Sequence, residues 1–223
     1  MPKWRASSWR AFDPDAAADE FRAPQGNRAS REGADLRLRA GSRAAVRILG
    51  LDPGSRRTGY GLVDWRAGET AHVAHGCIVP AAHARPARDA IERLRAIFEA
   101  VEGLIASFRP DEIAVERVFV NRNVDSALKL GQARGAALCA VPKGLPVFEY
   151  APRAIKLALV GSGAAEKVQV AHMIRTLLGL QGRIAPDAAD ALAVAVCHAH
   201  SRRLQELALC AAQSARMAEA ASR

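Results

Sequence analysis

The chain has 223 residues, half of them apolar and a quarter charged, with a formal charge of +9, which describes an ordinary soluble globular protein with one sizeable core and room for an appendage. No apolar run approaches the roughly 18 residues of a membrane helix; the Arg-rich start lacks the apolar core and cleavage site of a secretory signal, and Asp13, Asp15, Asp19 and Glu20 argue against an organelle transit peptide. Residues 1–46 carry nine Lys/Arg and six Asp/Glu, so the body holds 23 against 17, and a basic body suits a polyanionic partner, nucleic acid first.

Residues 1–45 are rich in Ala, Arg, Gly, Ser and Asp without sustained periodicity, and are expected to be disordered apart from a short helix around Asp15–Phe21. Folded sequence begins abruptly at Val46, which is compatible with a native start near that residue. Val46–Asp52 reads as a strand with apolar residues on both faces, hence a central strand of a covered sheet. Asp52-Pro53-Gly54 ends it. A turn aspartate and a carboxylate that needs a cation are both open readings of Asp52, because burying an ion costs on the order of several kcal/mol unless it is neutralised.

Tyr60–Asp64 and Ala71–Val79 follow as strands around Ala67-Gly68, giving an antiparallel meander. Ala87–Phe108 carries a helical stripe (Ile91, Leu94, Ile97, Phe98, Val101, Leu104, Ile105) and stops at Pro110. Glu112–Glu116 is a fourth strand, parallel to the first after this crossover, and it too ends in a carboxylate. Val124–Ala140 is a helix whose Gly131 and Gly135, four apart, leave a flat face; close approach of another helix and ordinary packing on the sheet both fit it. Pro146–Tyr150 is a fifth strand and Arg153–Val160 a short basic helix. In the helix Glu166–Leu178, Val168, Ala171, Met173 or Ile174, and Leu177-Leu178 are expected to point inward. Pro186 opens a last core helix through His200, and residues 201–223 form a polar, alanine-rich tail, helical if ordered.

The four cysteines (Cys77, Cys139, Cys197, Cys210) stand far apart in apolar neighbourhoods. Zinc knuckles and redox pairs are disfavoured, and buried free thiols in a reducing compartment, the cytoplasm, are expected.

Pro186 suits the first turn of a helix, so Asp187 and Asp190 lie one turn apart on one face. Asp187 has an ordinary role at a helix N-terminus. Asp190 lies in a helix apolar almost all round and requires a partner. Carboxylates at two strand ends (Asp52, Glu116) and two on a helix face (Asp187, Asp190) can meet at one sheet edge, where all-oxygen donors select Mg²⁺ or Mn²⁺. Two such ions about 4 Å apart would serve phosphodiester hydrolysis.

In the stretches ILGLDPGSRRTGYGLV, AVERVFVNRNVDSALKLGQARGAAL, PVFEYAPRAIKLALVGSGAAEKVQVAHMIRTLL and PDAADALAVAVCHAH, the chain from Val46 to about Arg202 resembles the RuvC family of Holliday-junction resolvases, members of the ribonuclease H-like superfamily. The resemblance implies an α/β, ribonuclease H-like fold with a five-stranded mixed sheet flanked by helices on both faces. It implies a nuclease domain over 46–202, between the disordered extension 1–45 and the polar tail 203–223. The metal ligands would be Asp52, Glu116, Asp187 and Asp190, holding two Mg²⁺ per site with Mn²⁺ as a substitute. Asp187 stands where some relatives have histidine, so it would share ligand and proton-transfer roles. Phe119 would stack on bases opened at the crossover, within a loop carrying Arg117 and Arg122. Lys156 and Lys167 would lie near the scissile backbone, and Gly131 and Gly135 would face a second copy in a homodimer. The implied substrate is a four-way DNA junction, cut by paired symmetric nicks leaving 5′-phosphate and 3′-hydroxyl ends. The implied partner is the branch-migration motor (RuvA–RuvB type) acting on the same junction. The N-terminal extension and the short Val141–Gly144 link, with its proline, depart from the family pattern.

The Asp52-x-Gly54 turn also resembles the first phosphate loop of sugar kinases and actin-like ATPases, but one domain cannot form their interdomain cleft. A non-cutting, nucleic-acid-binding relative would retain four acids that repel phosphate, and a dimeric scaffold leaves both acids and basic body unexplained.

Overall fold

The computed structural model describes residues 45–80, 86–117 and 124–221, without the side chains of 86–89 and 205–221. The expected disorder of the N-terminal extension, and Phe119 and Arg122, lie outside the described residues. The elements in chain order are β1 (Val46–Pro53), β2 (Thr58–Arg66), β3 (Glu69–Ile78), α1 (Pro86–Phe108), β4 (Glu112–Glu116), α2 (Val124–Cys139), β5 (Val147–Tyr150), α3 (Pro152–Val160), α4 (Lys167–Leu177) and α5 (Pro186–Ala221). The strands form one sheet in the order β3-β2-β1-β4-β5. β1–β2 and β2–β3 are antiparallel, β1–β4 and β4–β5 parallel. The β2–β3 hairpin closes on Ala67 and Gly68, both with positive φ, the geometry that matches strand twist in a two-residue turn.

β1 is central because its apolar residues alternate to both sides. Ile48, Val63 and Ala114 share a core with α3, α4 and α5 residues such as Ile155, Ile174 and Leu192. Leu49, Leu51, Ile113 and Val115 alternate to the opposite face and are fully buried, as are Val101 and Leu104 of α1 and Ala137 of α2.

On the α5 face the strands carry almost no side chain where the helix crosses. A Cβ at Gly50 would stand 2.2 Å from the Ala191 carbonyl oxygen, and one at Gly59 would stand 1.9 Å from that of Asp187. Gly50 and Gly61 are register partners. This glycine track lets a helix backbone lie directly on the sheet, which fixes both its height and its position along the strands.

Three sequence expectations change. Helix α4 buries Val170 and Ile174, whereas Val168 is 76% exposed and Leu177 is exposed. A reciprocal capping box between Glu166 and Gln169 starts the helix at Lys167, which turns its first residues outward and the 170/174 spacing inward. Helix α1 buries Ile97, Val101 and Leu104, but Ile91 is 61% exposed; periodicity marks the inward side, not how far a neighbour covers it. Of the described cysteines Cys197 is buried, Cys77 half-buried and Cys139 exposed. The tail expected to be helical if ordered continues α5 from His200 to Ala221, through a stretch without Gly or Pro and rich in Ala, the strongest helix former.

Candidate metal and nucleic-acid site

Asp52 ends β1 on the face that carries Ile48 and Gly50, and Glu116 ends β4 on the face that carries Ala114, since side chains repeat every second residue. The parallel pairing of β1 with β4 brings both carboxylates to one end of the sheet. The glycine track delivers the N-terminus of α5 to that same end, with Asp187 in its first turn and Asp190 one turn further on. The four acids come from three elements far apart in sequence.

Their electrostatics show the convergence. The Asp52 carboxyl is pushed up to about 7, first by burial and then by the negative charges of Glu116, Asp190 and Asp187, with Lys167 pulling the other way. Glu116 is also raised, by burial and then by Asp190, against the cations of Lys167 and Lys156. Asp190 finds its partner in Lys167, whose Nζ donates to Oδ2 at 2.6 Å. That hydrogen bond and the surrounding acids raise the Lys167 ammonium. Lys156 joins Glu116, Lys167, Asp190, Ile155 and Val170 in lining an open pocket beside the acids.

Such a set is all oxygen, crowded and short of positive charge, which is the chemistry a hard divalent cation satisfies. Among the described residues no three His, Cys, Asp or Glu side chains are already closed into a metal cage. The acids share one field, with the Lys167 ammonium inside it.

Other predicted residues fall around this centre. The Arg117 amide donates to the Tyr150 carbonyl and its guanidinium pairs with Glu149 at 3.6 Å, a carboxylate shared with Arg134. Among the described residues no atom lies within 4 Å of a Cβ added at Gly131 or Gly135, so their face is not used against the sheet. Ala133 and Ala137 are the buried side of α2. Val124 and Leu128 are 69% and 63% exposed, and with Gly131 and Gly135 they continue one stripe at spacings of four, three and four.

Sequence reasoning missed Cys77, whose thiol donates to Asp187 Oδ2 at 4.0 Å, because β3 carries no motif that ties it to α5. It also missed the reason for Gly50, Gly59 and Gly61, which only the position of α5 supplies. Thr58, fully buried beside them, has a hydroxyl without a hydrogen-bond partner among the described residues.

Residues 48–198 match the family described as Crossover junction endodeoxyribonuclease RuvC. Proteins of that name are 58% identical in Methylococcus capsulatus, covering 71% of this chain and 93% of theirs, and 51% identical in Xanthomonas oryzae pv. oryzae, covering 70% and 89%. Among solved structures, Thermus thermophilus RuvC in complex with a Holliday junction substrate superposes with a TM-score of 0.65 at 36% identity, over 72% of this chain and 96% of that one. The yeast mitochondrial resolvase Ydc2, at 13% identity and a TM-score of 0.52 over 75% and 86%, shares the fold.

Proposed function

The chain belongs to the RuvC family of crossover junction endodeoxyribonucleases, and we propose that it resolves four-way DNA junctions as a divalent-metal-dependent homodimer. The observation that carries the chemistry is the meeting of Asp52, Glu116, Asp187 and Asp190 at one sheet end, in a field that holds Asp52 at about 7. These four residues would hold two Mg²⁺ ions, with Mn²⁺ as a substitute. When bound, such ions supply water activation and charge stabilisation for in-line hydrolysis of a phosphodiester, leaving 5′-phosphate and 3′-hydroxyl ends.

The chain's own residues do the rest. Lys167, 78% exposed but anchored on Asp190, and Lys156 on the pocket wall offer cations to the scissile phosphate. Arg117 and the loop beyond it, with Phe119 and Arg122, would meet the opened crossover, where stacking on an aromatic contributes on the order of 1–3 kcal/mol per base. Two copies joined along the open α2 face would present two such sites about a two-fold axis, which suits paired symmetric nicks. No described helix is long and apolar enough to cross a membrane. Residues 46–202 serve as the nuclease domain, acting in the cytoplasm with a branch-migration motor on the same junction.

The test compares cleavage of a synthetic four-way junction in Mg²⁺, in EDTA and by Asp52→Asn, with binding followed in parallel. Paired nicks that require Mg²⁺ and vanish in the variant while binding persists are expected. Junction binding with no cleavage in Mg²⁺ or Mn²⁺, across several junction sequences, would overturn the nuclease reading.

A further inference from the structure

On the β2 side of β1, opposite the β4 side, the structure holds cations that no hydrogen bond or ion pair to a described residue engages. The β1–β2 turn follows directly on Asp52 and carries Arg56 and Arg57, both exposed. It is a tight turn: a Cβ at Gly54 would lie 2.3 Å from the Arg57 carbonyl oxygen. The two guanidiniums therefore project from a fixed stub at the sheet end that bears the acids.

Ser55 of this turn also lines a cleft between α1 and α2. Ala90, Arg93, Leu94 and Ile97 share one face of α1, and Lys129, Gln132 and Ala133 one face of α2, at the three- and four-residue spacing of helix neighbours. Arg93 is half-buried there. Several arginines elsewhere are tied to carboxylates: Arg47 to Asp64, Arg95 to Glu92, Arg134 to Glu149 and Arg202 to Glu112. Arg109, Arg153, Arg175, Arg183 and Arg203 have no such partner among the described residues but are exposed to solvent, whereas Arg93 is half-buried. No hydrogen bond or ion pair to a described residue engages Arg56, Arg57 or Arg93. A partly desolvated guanidinium without a counter-ion is unfavourable unless an anion completes it. Its planar fork suits a phosphate. Lys129 is paired with Asp125 at 2.6 Å, but both side chains are well exposed, so the pair contributes little and can exchange for a phosphate.

We propose that Arg56, Arg57 and Arg93, with Ser55 and Gln132 beside them, form a second phosphate track that holds the DNA backbone running away from the scissile position toward the α1–α2 cleft. The track rests on the junction-cleaving reading and extends it: the strand is gripped on both sides of the acids, by the lysines of α3 and α4 on one and by these arginines on the other. Each phosphate neutralised releases counterions, so the track has a measurable signature in salt dependence.

The experiment measures binding to a synthetic four-way junction and to a linear duplex in EDTA, over a range of salt concentrations. The proteins are the wild type, the triple variant Arg56→Gln/Arg57→Gln/Arg93→Gln, and Arg95→Gln as a control for loss of a paired arginine. The triple variant is expected to lower the slope of log affinity against log salt by about 2–3 and to bind at least about tenfold more weakly at moderate salt. Its single-turnover cleavage rate with enzyme saturating should stay within about threefold of wild type, since the track holds rather than reacts. Arg57→Gln alone should lower the slope by about 1, which keeps the test available should the triple variant misfold. A wild-type slope in these variants, or an equal loss in Arg95→Gln, overturns the track. Failure of the wild type itself to prefer junction over duplex would instead overturn the reading on which the track rests.

Discussion

Asp52 shows how a single residue reports a whole site. Burial and three neighbouring carboxylates hold its carboxyl at about 7, far above an ordinary aspartate, so the folded protein binds a proton that the unfolded chain releases. The stability this contributes is complete below the usual carboxylate range and is lost as pH rises through about 7. At pH 8 without metal, the ionised Asp52 is therefore a destabilising charge. Asp52→Asn should raise stability there by roughly 1–4 kcal/mol and by much less at pH 5; melting curves in EDTA at the two pH values check this. Mg²⁺ should then raise the melting temperature of the wild type more than that of the variant, because a ligand of the folded state stabilises in proportion to its affinity. An Asp52→Asn protein that melts lower than wild type at pH 8 in EDTA would contradict the crowded-acid picture.

At the scale of elements, the site depends on how closely α5 lies on the sheet. Gly50 and Gly59 meet backbone carbonyl oxygens of α5, not flexible side chains, so an added methyl must move the helix or the strand. Overpacking of this kind costs about 1–3 kcal/mol, and a shift of about 1 Å in catalytic groups costs on the order of 10²-fold in rate. Gly59→Ala, beside Asp187, is expected to fold with reduced stability and to retain junction binding. Its Mg²⁺-dependent cleavage should fall by about 10²-fold or more, measured under single-turnover conditions. Near-normal cleavage by Gly59→Ala would mean that the helix has slack that the carbonyl contacts do not show. Gly59 and Gly61 stand in the sequence only as residues leading into the β2 run; their purpose is not legible there, because the partner that forbids a side chain lies over 120 residues away.

Across the whole molecule, α5 is fixed near its middle as well. His198, buried, shares hydrogen bonds with the Tyr150 hydroxyl at 2.7 Å and with Glu112 Oε2 at 2.6 Å. Arg202 pairs with that same glutamate and lies over the Trp65 ring. Helix α5 is thus pinned to β4 and β5 by polar contacts while its first turn meets the acids, and burial keeps His198 below its ordinary pKa. What the fold leaves open is the α2 stripe of Val124, Leu128, Gly131 and Gly135. An apolar stripe at this spacing is the seam by which two helices pack, and a second copy would cover it. If the proposed homodimer joins along this stripe, Leu128→Glu should shift the protein from dimer to monomer in analytical ultracentrifugation. It should also reduce paired nicking far more than the stability of the isolated fold. A variant that sediments as the wild type does would place the dimer seam elsewhere.

The sequence by itself determined the order of the elements, the central place of β1, the antiparallel meander, the parallel return of β4 and the positions of the four acids at two strand ends and in the first turns of one helix. Each of these is written in local periodicity, in proline and glycine punctuation, or in motifs long enough to carry a family resemblance. The tertiary structure alone decided what joins them: the glycine track that lets α5 rest on bare strands, the Lys167–Asp190 contact, and the thiol of Cys77 against Asp187. It also decided which side of α4 and how much of α1 is covered, and which arginines are left without a carboxylate. The reason is the same throughout. Periodicity tells a residue which way to face, but burial, pairing and charge are properties of what stands opposite, and that is chosen only when distant segments pack.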